Sequence, residues 1–214
     1  MRARLSGALV GMAIVAAAYG FTYLPYGWFL AGAVIGFLGW GLGGYFRYLN
    51  RLTERDELTG IANRRAFERA LEREWDRAVR NERSLSLLFL DVDDFGKVNK
   101  RFGHLMGDEV LKAITRLLRQ STRRYDVVAR WGGEEFVVLL PETDRRTSMI
   151  IAERIRAVIE QTVVRDRDKA VSVTVSTGVA CYPGACRSAQ DLLRQAIGAQ
   201  SAAKAHKNAV EIVS

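Results

Sequence analysis

Residues 130–136 read Arg-Trp-Gly-Gly-Glu-Glu-Phe, and the interpretation of the whole chain starts from this stretch. The extended run 126–130 leads into it, and the apolar run 136–140 leads out of it. Two β-prone runs around paired glycines predict a β-hairpin. Gly132 and Gly133 would let a ligand approach the backbone closely, because no Cβ stands in the way.

Glu134 and Glu135 lie directly beside the glycine pair. Like charges repel, so two adjacent glutamates are poor packing residues and need another explanation. A divalent cation that holds phosphate would provide one, because hard oxygen ligands suit Mg²⁺. The alternative is an ordinary Gly-Gly turn with solvated glutamates, and these residues alone do not decide between the two.

The net charge of +8 is unevenly distributed along the 214 residues. Residues 1–55 carry five arginines and one acid, so half of the positive excess flanks a single apolar segment. The remaining excess is spread thinly over the rest of the chain. This distribution disfavours a nucleic-acid polymer as partner.

Residues 5–46 contain no charged side chain, and this run is about twice as long as one membrane crossing needs. A proline and a glycine in its middle divide it into 5–24 and 27–46, with arginines on both outer sides. The positive-inside rule then predicts a two-helix transmembrane hairpin, residues 1–46, with both ends in the cytoplasm. A cleaved signal peptide over residues 1–20 is the competing interpretation.

The remainder of the chain is expected to lie in the cytoplasm, with a short linker, residues 47–55, followed by one domain, residues 56–214. Membrane lipid is an expected partner on this interpretation. Glycines at four-residue spacing in both apolar halves would let helices approach closely. Such packing would join the two helices of one chain or the helices of two chains.

Hydrophobic periodicity after residue 56 predicts alternating helices and strands. Helices are expected over 63–83, 95–101, 108–120, 144–161 and 188–206, and strands over 84–91, 126–130, 136–140, 171–180 and 209–213. This order predicts an α+β domain with an antiparallel core sheet backed by helices. If the strand that ends at Asp91 lies beside the hairpin, Asp91 and Glu134 converge at one sheet edge. The helix beginning near Phe95 would then direct its N-terminal N–H groups at bound phosphates, as phosphoryl transfer requires.

Several motifs occur in the order and at the spacing of one known family. They are Asp56-Glu57-Leu58-Thr59-Gly60, Asn63-Arg64-Arg65, Leu90-Asp91-Val92-Asp93-Asp94-Phe95, Asn99, Phe102-Gly103-His104, Gly107-Asp108-Glu109, residues 130–136 and the strand 173–180. Together they resemble the GGDEF family of diguanylate cyclases over roughly residues 52–213. The resemblance implies the palm-like fold of nucleotidyl cyclases and polymerases. It also implies a bacterial protein, for which the membrane would be the inner membrane.

The resemblance implies an enzyme that condenses two GTP into cyclic di-GMP and two pyrophosphates, with one GTP bound by each domain of a homodimer. Asp91 and Glu134, together with the Val92 carbonyl, would hold Mg²⁺ or Mn²⁺. Glu135 would lie beside the metal and help to activate the 3′-hydroxyl. These three carboxylates are the implied catalytic residues.

The resemblance also implies a substrate site. Asn99 and Asp108 would read the guanine edge, although from the residues alone Asp108 would be a helix N-cap. The implied phosphate-binding residues are Gly132 and Gly133, which leave room for the triphosphate, Lys204, which neutralises its outer phosphates, and Phe95 and Gly96 of the phosphate loop.

Arg123 and Asp126 form an Arg-x-x-Asp pattern just upstream of the hairpin, where the family has an inhibitory product site. A guanidinium fork suits phosphate and guanine, and an aspartate can accept hydrogen bonds from a guanine edge. Arg154 matches the family's secondary inhibitory arginine. The alternative is a solvated basic helix end, since the chain is rich in arginine.

The chain departs from the family pattern in the phosphate loop and in the terminal helix. Gly96 stands where the family usually has a lysine, and Lys97 follows one place late. In the terminal helix, Lys207 stands at the family's glycine and Asn208 at its arginine. The second phosphate-binding cation is therefore either lost to Asn208 or replaced by Lys207. Its loss would cost about 1–3 kcal/mol and weaken GTP binding without abolishing it.

Two functions of different classes stay open on these residues. The first is a diguanylate cyclase inhibited by its own product, which the intact glutamates favour. The second is a non-catalytic receptor for cyclic di-GMP or GTP, which the altered terminal helix favours. A different nucleotide cyclisation on the same scaffold is a weaker third, because Asn99 and Asp108 specify guanine.

Overall fold

The computed structural model describes residues 11, 13, 15–16, 32–43 and 54–213, and the chain divides into two units, Met1–Thr53 and Glu54–Ser214. The described residues of the first unit are helical. Its longest described stretch, 32–43, extends about 18 Å at the rise of an α-helix. Within the described ranges, no helix is long and apolar enough to cross a membrane.

This finding contradicts the predicted membrane localisation and leaves the predicted transmembrane hairpin without support. The physical reason is that a crossing needs a helix about 30 Å long that is apolar throughout, and no helix in the described ranges meets both conditions. Most of the predicted spans 5–24 and 27–46 lies outside the described residues.

The second unit contains eight strands and five helices in its described part. The strands are β1 (Ala62–Asn63), β2 (Leu85–Val92), β3 (Val127–Gly132), β4 (Glu135–Pro141), β5 (Val163–Asp166), β6 (Lys169–Ser172), β7 (Val175–Tyr182) and β8 (Val210–Ile212). The helices are α1 (Arg64–Arg80), α2 (Phe95–Phe102), α3 (His104–Ser121), α4 (Arg145–Gln161) and α5 (Ala189–His206).

A six-stranded sheet in the order β1-β3-β4-β2-β7-β8 forms the centre of this unit. The four inner strands pair antiparallel, which confirms the predicted α+β fold with an antiparallel core. The short edge strands β1 and β8 pair parallel to their neighbours. A separate hairpin of β5 and β6 was not predicted, and the strand expected over 171–180 is instead divided between the end of β6 and β7.

Strand β2 lies in the middle of the sheet. All of its residues are buried except Asp91, which is half-buried. Its side chains alternate between two apolar clusters, as the period of a strand requires. Leu88 and Leu90 pack with helices α2, α3 and α4 on one face of the sheet. Leu87 and Phe89 pack with α1 and α5 on the other. Helices therefore cover both faces and leave the ends of the strands as the accessible edge.

Three helices begin at side-chain caps that the sequence makes readable. Asn63, Asp144 and Ser188 each accept a hydrogen bond from a backbone N–H of the following turn. Helix α3 begins at His104 rather than at the predicted Asp108, because Gly103 turns the chain directly from α2 into α3 at a φ of +90°. Asp108 is consequently not an N-cap.

Candidate active site

The predicted glycine hairpin is present between β3 and β4. Strand β3 ends at Gly132, strand β4 begins at Glu135, and Gly133 has a φ of +52° that suits glycine. The pairing shifts between Arg130 and Gly132, so the hairpin carries a bulge just before its tip. Trp131 packs edge-on against Phe67 and Phe89, which anchors the hairpin to one face of the sheet.

Arg130 contacts the tip of the hairpin and stabilises it. Two guanidinium nitrogens of Arg130 donate to the Gly133 carbonyl at 2.9 and 2.7 Å, and the third lies 3.2 Å from both oxygens of Asp56. The Asp56 carboxylate also accepts from the Thr59 backbone N–H at 2.9 Å and from its hydroxyl at 2.6 Å. Burial raises the pKa of Asp56, but the hydrogen bonds from Thr59 and the charge of Arg130 lower it below the usual 3.8.

We call these contacts of Arg130 with Gly133 and Asp56 the Arg130 brace. The sequence alone did not predict this brace. Both partners stand in motifs that the sequence displays, but 74 positions separate them and neither motif indicates the other. The signal that points to the contact is a charged residue next to each turn, which is too common to be specific.

The carboxylates predicted to act together meet at the ends of β2 and β4. Asp91 stands opposite Glu135 in the register of these strands, and the Val92 N–H donates to the Glu134 carbonyl at 3.3 Å. Burial raises the pKa of Glu135, and the negative charges of Asp91 and Glu134 raise it further. The expected convergence of Asp91 with the hairpin glutamates on one sheet edge is thus present.

Lys204 of α5 reaches into this acidic cluster. Its ammonium donates to the Asp91 carboxylate and, at 3.2 Å, to the Val92 carbonyl, and it lies 3.8 Å from Asp93. A cation therefore already occupies the position where the Asp91 and Val92 oxygens converge. The sequence predicts Lys204 at the outer phosphates, whereas here it contacts the predicted metal ligands.

Asp93 has a structural role that the motif alone did not reveal. The residue is 5% exposed, and its carboxylate accepts from the hydroxyls of Thr174 and Ser176, both at 2.7 Å, and from the Asn208 backbone N–H at 2.8 Å. These bonds join the end of β2 to the start of β7 and to the segment after α5. Both carboxylate oxygens of Asp93 therefore make hydrogen bonds within the fold. Asp91, two residues earlier, instead contacts Lys204 at the candidate site.

The residues predicted to read guanine lie between α2 and α3. Asn99 is half-buried on α2, and its Oδ1 has no hydrogen-bond partner among the described residues. Gly107 of α3 lies so close that an added Cβ would stand 2.0 Å from that oxygen. Asp108 is half-buried on the same helix, one residue further on. An unpaired buried polar atom needs a partner, and a base edge could supply it.

The phosphate loop leads from these residues back to the carboxylates. Phe95 is buried under the loop, whereas Gly96 is exposed and an added Cβ there would meet nothing within 4 Å. Both residues lie in the first turn of α2, and Asp94 before them makes no side-chain cap to that turn.

One family of known proteins matches this chain. Its model, described as diguanylate cyclase, GGDEF domain, matches residues 53–209, which is well over half of the chain. The chain belongs to the GGDEF family. The family predicted from the motifs is therefore confirmed.

This GGDEF domain is similar to two curated relatives. It is 43% identical over 129 residues to the diguanylate cyclase DgcP of Pseudomonas aeruginosa, covering 60% of this chain and 19% of DgcP. It is 38% identical over 163 residues to the response regulator PleD of Caulobacter vibrioides, covering 74% of this chain and 36% of PleD. The chain thus spans about a fifth of one relative and about a third of the other.

Solved structures agree with this assignment of the fold. The GGDEF domain of PA1120 (TpbB or YfiN) from Pseudomonas aeruginosa superposes with a TM-score of 0.72 at 36% identity, covering 75% of this chain and 94% of that one. The GGDEF domain of DgcB from Caulobacter crescentus, in complex with c-di-GMP, gives a TM-score of 0.71 at 28% identity, covering 74% and 92%.

A cavity of this GGDEF domain lies at the predicted product site. It has a volume of about 520 Å³, and Arg123 and Asp126 line it together with the additional arginines Arg55, Arg119 and Arg124. Asp126 accepts from the Arg123 backbone N–H at 2.6 Å, and its other oxygen is buried without a partner among the described residues. Burial raises the pKa of Asp126, while the N–H and the charge of Arg123 oppose that shift.

The arginines predicted for this cavity occupy different positions around it. The Arg123 guanidinium donates to the Tyr125 hydroxyl at 2.7 Å instead of pairing with Asp126. Arg154 of α4 donates to the Ser121 carbonyl at 2.7 Å and is not among the residues that line the cavity. The structure therefore joins Arg123 with Asp126 and leaves Arg154 next to the rim.

Proposed function

We propose that residues 56–214 form a diguanylate cyclase domain that condenses two GTP into cyclic di-GMP and two pyrophosphates. The observation that carries this proposal is the convergence of Asp91, Glu134 and Glu135 on one sheet edge beside the glycine hairpin. Family membership and a relative named as a diguanylate cyclase support it. Because each domain would bind one GTP, the reaction needs two copies facing each other.

The donor set fits a divalent cation, Mg²⁺ or Mn²⁺. The Asp91 carboxylate and the Val92 carbonyl already hold the ammonium of Lys204, and burial, together with the charges of Asp91 and Glu134, raises the pKa of Glu135. Among the described side chains, no group of three or more His, Cys, Asp and Glu forms a complete metal site. Mg²⁺ commonly takes one or two carboxylates and completes its shell with substrate phosphates. Asp91, Val92 and Glu134 would hold the ion, and when bound it would neutralise charge on the triphosphate.

The chain's own groups account for the rest of the chemistry. Asn99 and Asp108 would bind the guanine edge, and Gly132 and Gly133 would leave space for the triphosphate. Glu135, whose pKa is raised, is suited to accept the proton of a 3′-hydroxyl. The deprotonated 3′-oxygen then bonds to the α-phosphorus of the facing GTP, and the bond from that phosphorus to the pyrophosphate breaks. Two such transfers close the cyclic product.

The cavity at Arg123 and Asp126 supports inhibition by the product. Its arginines suit the two phosphates of cyclic di-GMP, and the unpartnered Asp126 oxygen suits a guanine N–H. Arg154 would complete this site from outside the cavity. The same cavity also supports the second function, a non-catalytic receptor for cyclic di-GMP.

Turnover of the full chain with GTP and Mg²⁺, followed by chromatography of the nucleotides, tests the proposal. We expect cyclic di-GMP from the unchanged protein and none from Glu134→Gln, with the fold intact by circular dichroism. Glu211→Gln on the exposed edge strand β8 is the matched control and should keep full activity. Full activity of Glu134→Gln would rule out the proposed metal role. Absence of product together with tight binding of cyclic di-GMP would identify a receptor instead.

A further inference from the structure

The sheet edge that carries the candidate active site also carries Arg64. Strand β1 ends at Asn63 and pairs parallel to β3, so Arg64, the first residue of α1, stands beside Trp131. Along the same edge, the hairpin leads to Glu135 at the start of β4, and Asp91 follows near the end of β2. The sheet therefore brings a cation to one side of the glycine hairpin and carboxylates to the other.

The guanidinium of Arg64 stacks on the ring of Trp131. Its central carbon is 4.1 Å from the centroid of that ring, a distance at which the aromatic face attracts a cation. Trp131 in turn packs edge-on against two buried phenylalanines, so the surface under the guanidinium is fixed. This stacking holds the guanidinium beside the hairpin without using its N–H groups.

Most of the N–H groups of Arg64 remain free for a ligand. Its Nε donates to Glu68 at 2.9 Å, and no other hydrogen bond or ion pair of Arg64 occurs among the described residues. The two side chains are 60% and 47% exposed, and so exposed an ion pair contributes little and exchanges readily. The two terminal nitrogens therefore form an open planar fork, which suits a phosphate group.

The charge of Arg64 also acts on Glu135. Burial and two neighbouring carboxylates raise the pKa of Glu135, and the positive charges of Arg64 and Lys204 oppose this rise. Of these two cations, Lys204 already contacts the Asp91 carboxylate. Arg64 is thus the one of the two whose charge is left for a substrate.

We propose that Arg64 binds the α-phosphate of the GTP that the facing copy of the domain contributes. This inference rests on the proposed function, in which Glu135 takes the proton of a 3′-hydroxyl and the 3′-oxygen bonds to that α-phosphorus. A phosphate that meets the 3′-oxygen comes close to Glu135, and Arg64 offers its open fork beside it. The transition state of phosphoryl transfer carries charge on the phosphate oxygens, and a guanidinium that is already in position stabilises that charge.

Pairing of two copies around an unreactive nucleotide tests this contact without turnover. A 3′-deoxyguanosine triphosphate lacks the attacking hydroxyl, so with Mg²⁺ it binds and does not react. In sedimentation velocity on the full chain, we expect it to promote self-association of the unchanged protein and Arg64→Gln to weaken that association about tenfold. Nucleotide binding to the single chain, measured by fluorescence at dilutions where the copies stay apart, should not change.

Two variants of the same helix serve as comparisons. Arg69→Gln is the matched control, because Arg69 pairs with Glu54 away from the hairpin, and it should leave association unchanged. Glu68→Gln releases Arg64 from its ion pair. If Arg64 binds phosphate, this release should strengthen association or leave it unchanged. If Arg64 only supports the helix through that pair, Glu68→Gln should weaken association as Arg64→Gln does, and the proposal is overturned.

Sulfur substitution at the α-phosphate locates the contact during turnover. GTPαS carries sulfur, a weaker acceptor, in place of one non-bridging α-oxygen, and its two diastereomers place the sulfur in different positions. We expect Arg64→Gln to lower kcat for GTP about 100-fold and to reduce the rate loss that sulfur causes in one diastereomer. If the ratio of GTP to GTPαS rates stays the same for both diastereomers, Arg64 does not touch this phosphate.

The two assays keep the contact and the proposed function apart. Unchanged association in Arg64→Gln, or no nucleotide-dependent association of the unchanged protein, overturns the contact even where GTP is converted to cyclic di-GMP. A chain that forms no cyclic di-GMP, but whose nucleotide-dependent association requires Arg64, would refute the cyclase and support the contact.

Discussion

Arg130→Lys tests how strongly the glycine hairpin depends on its brace. The guanidinium of Arg130 bridges the Gly133 carbonyl and the Asp56 carboxylate, and the two side chains of the ion pair are only 16% and 22% exposed. A lysine keeps the charge but cannot reach both acceptors, because its ammonium is a single point on a flexible stem. The substitution therefore removes at least one charge-assisted hydrogen bond from a poorly solvated position.

Losing this hydrogen bond of Arg130 should reduce turnover more strongly than it reduces stability. One such hydrogen bond contributes about 2 kcal/mol to the free energy of unfolding, which lowers the melting temperature by about 4–8 °C in a domain of this size. Turnover should fall further, by about 100-fold, because displacing reacting groups by an ångström is enough for such a loss. Thermal unfolding by circular dichroism and chromatography of cyclic di-GMP at saturating GTP measure the two effects.

Arg69→Lys is the matched control. Arg69 pairs with Glu54 at 2.7 Å, but the side chains are 47% and 68% exposed, so neither stability nor turnover should change measurably. If Arg130→Lys lowers the melting temperature and keeps full turnover, the brace stabilises the fold without positioning the hairpin. If neither quantity changes, the brace is absent in solution.

The brace also predicts how stability depends on pH. The pKa of Asp56 is lower in the folded chain than its usual 3.8, so the ionised carboxylate favours the folded state. Its contribution is complete at neutral pH and is lost as the pH falls below 3.8. In Arg130→Lys, this loss in unfolding free energy at acid pH should be smaller than in the unchanged protein.

Two further predictions concern the nucleotide sites. Gly107→Ala should weaken GTP binding at least tenfold, because its Cβ would stand 2.0 Å from Asn99 Oδ1 and force that side chain away. The control is Gly198→Ala in α5, where an added Cβ meets nothing within 4 Å, and it should leave GTP binding unchanged. Equal binding in both variants would remove Asn99 from the guanine site. Arg123→Ala should raise the concentration of cyclic di-GMP that halves the initial rate by tenfold or more, without changing the rate in its absence; inhibition that stays unchanged would exclude this cavity as the product site.

Much of this protein can be read from its sequence, because the signals are local. The glycine hairpin, the buried strand that ends at Asp91 and the helices α1, α4 and α5 each follow from a local pattern of residues. The order of the motifs identified the family. The prediction of a membrane localisation was equally local, and it is contradicted because no helix in the described ranges is long and apolar enough to cross a membrane.

Other features depend on which distant residues the fold brings together. Arg130 meets Asp56, and Lys204 meets Asp91, only because strand pairing and helix packing set their backbones side by side. The neighbouring side chains of Lys207 and Asn208 contact different segments, because the backbone angles at the end of α5 direct them apart. The sequence determines which chemical groups are available. Long, flexible charged side chains find their partners only after apolar packing has positioned the backbone, so the tertiary structure decides which of them meet.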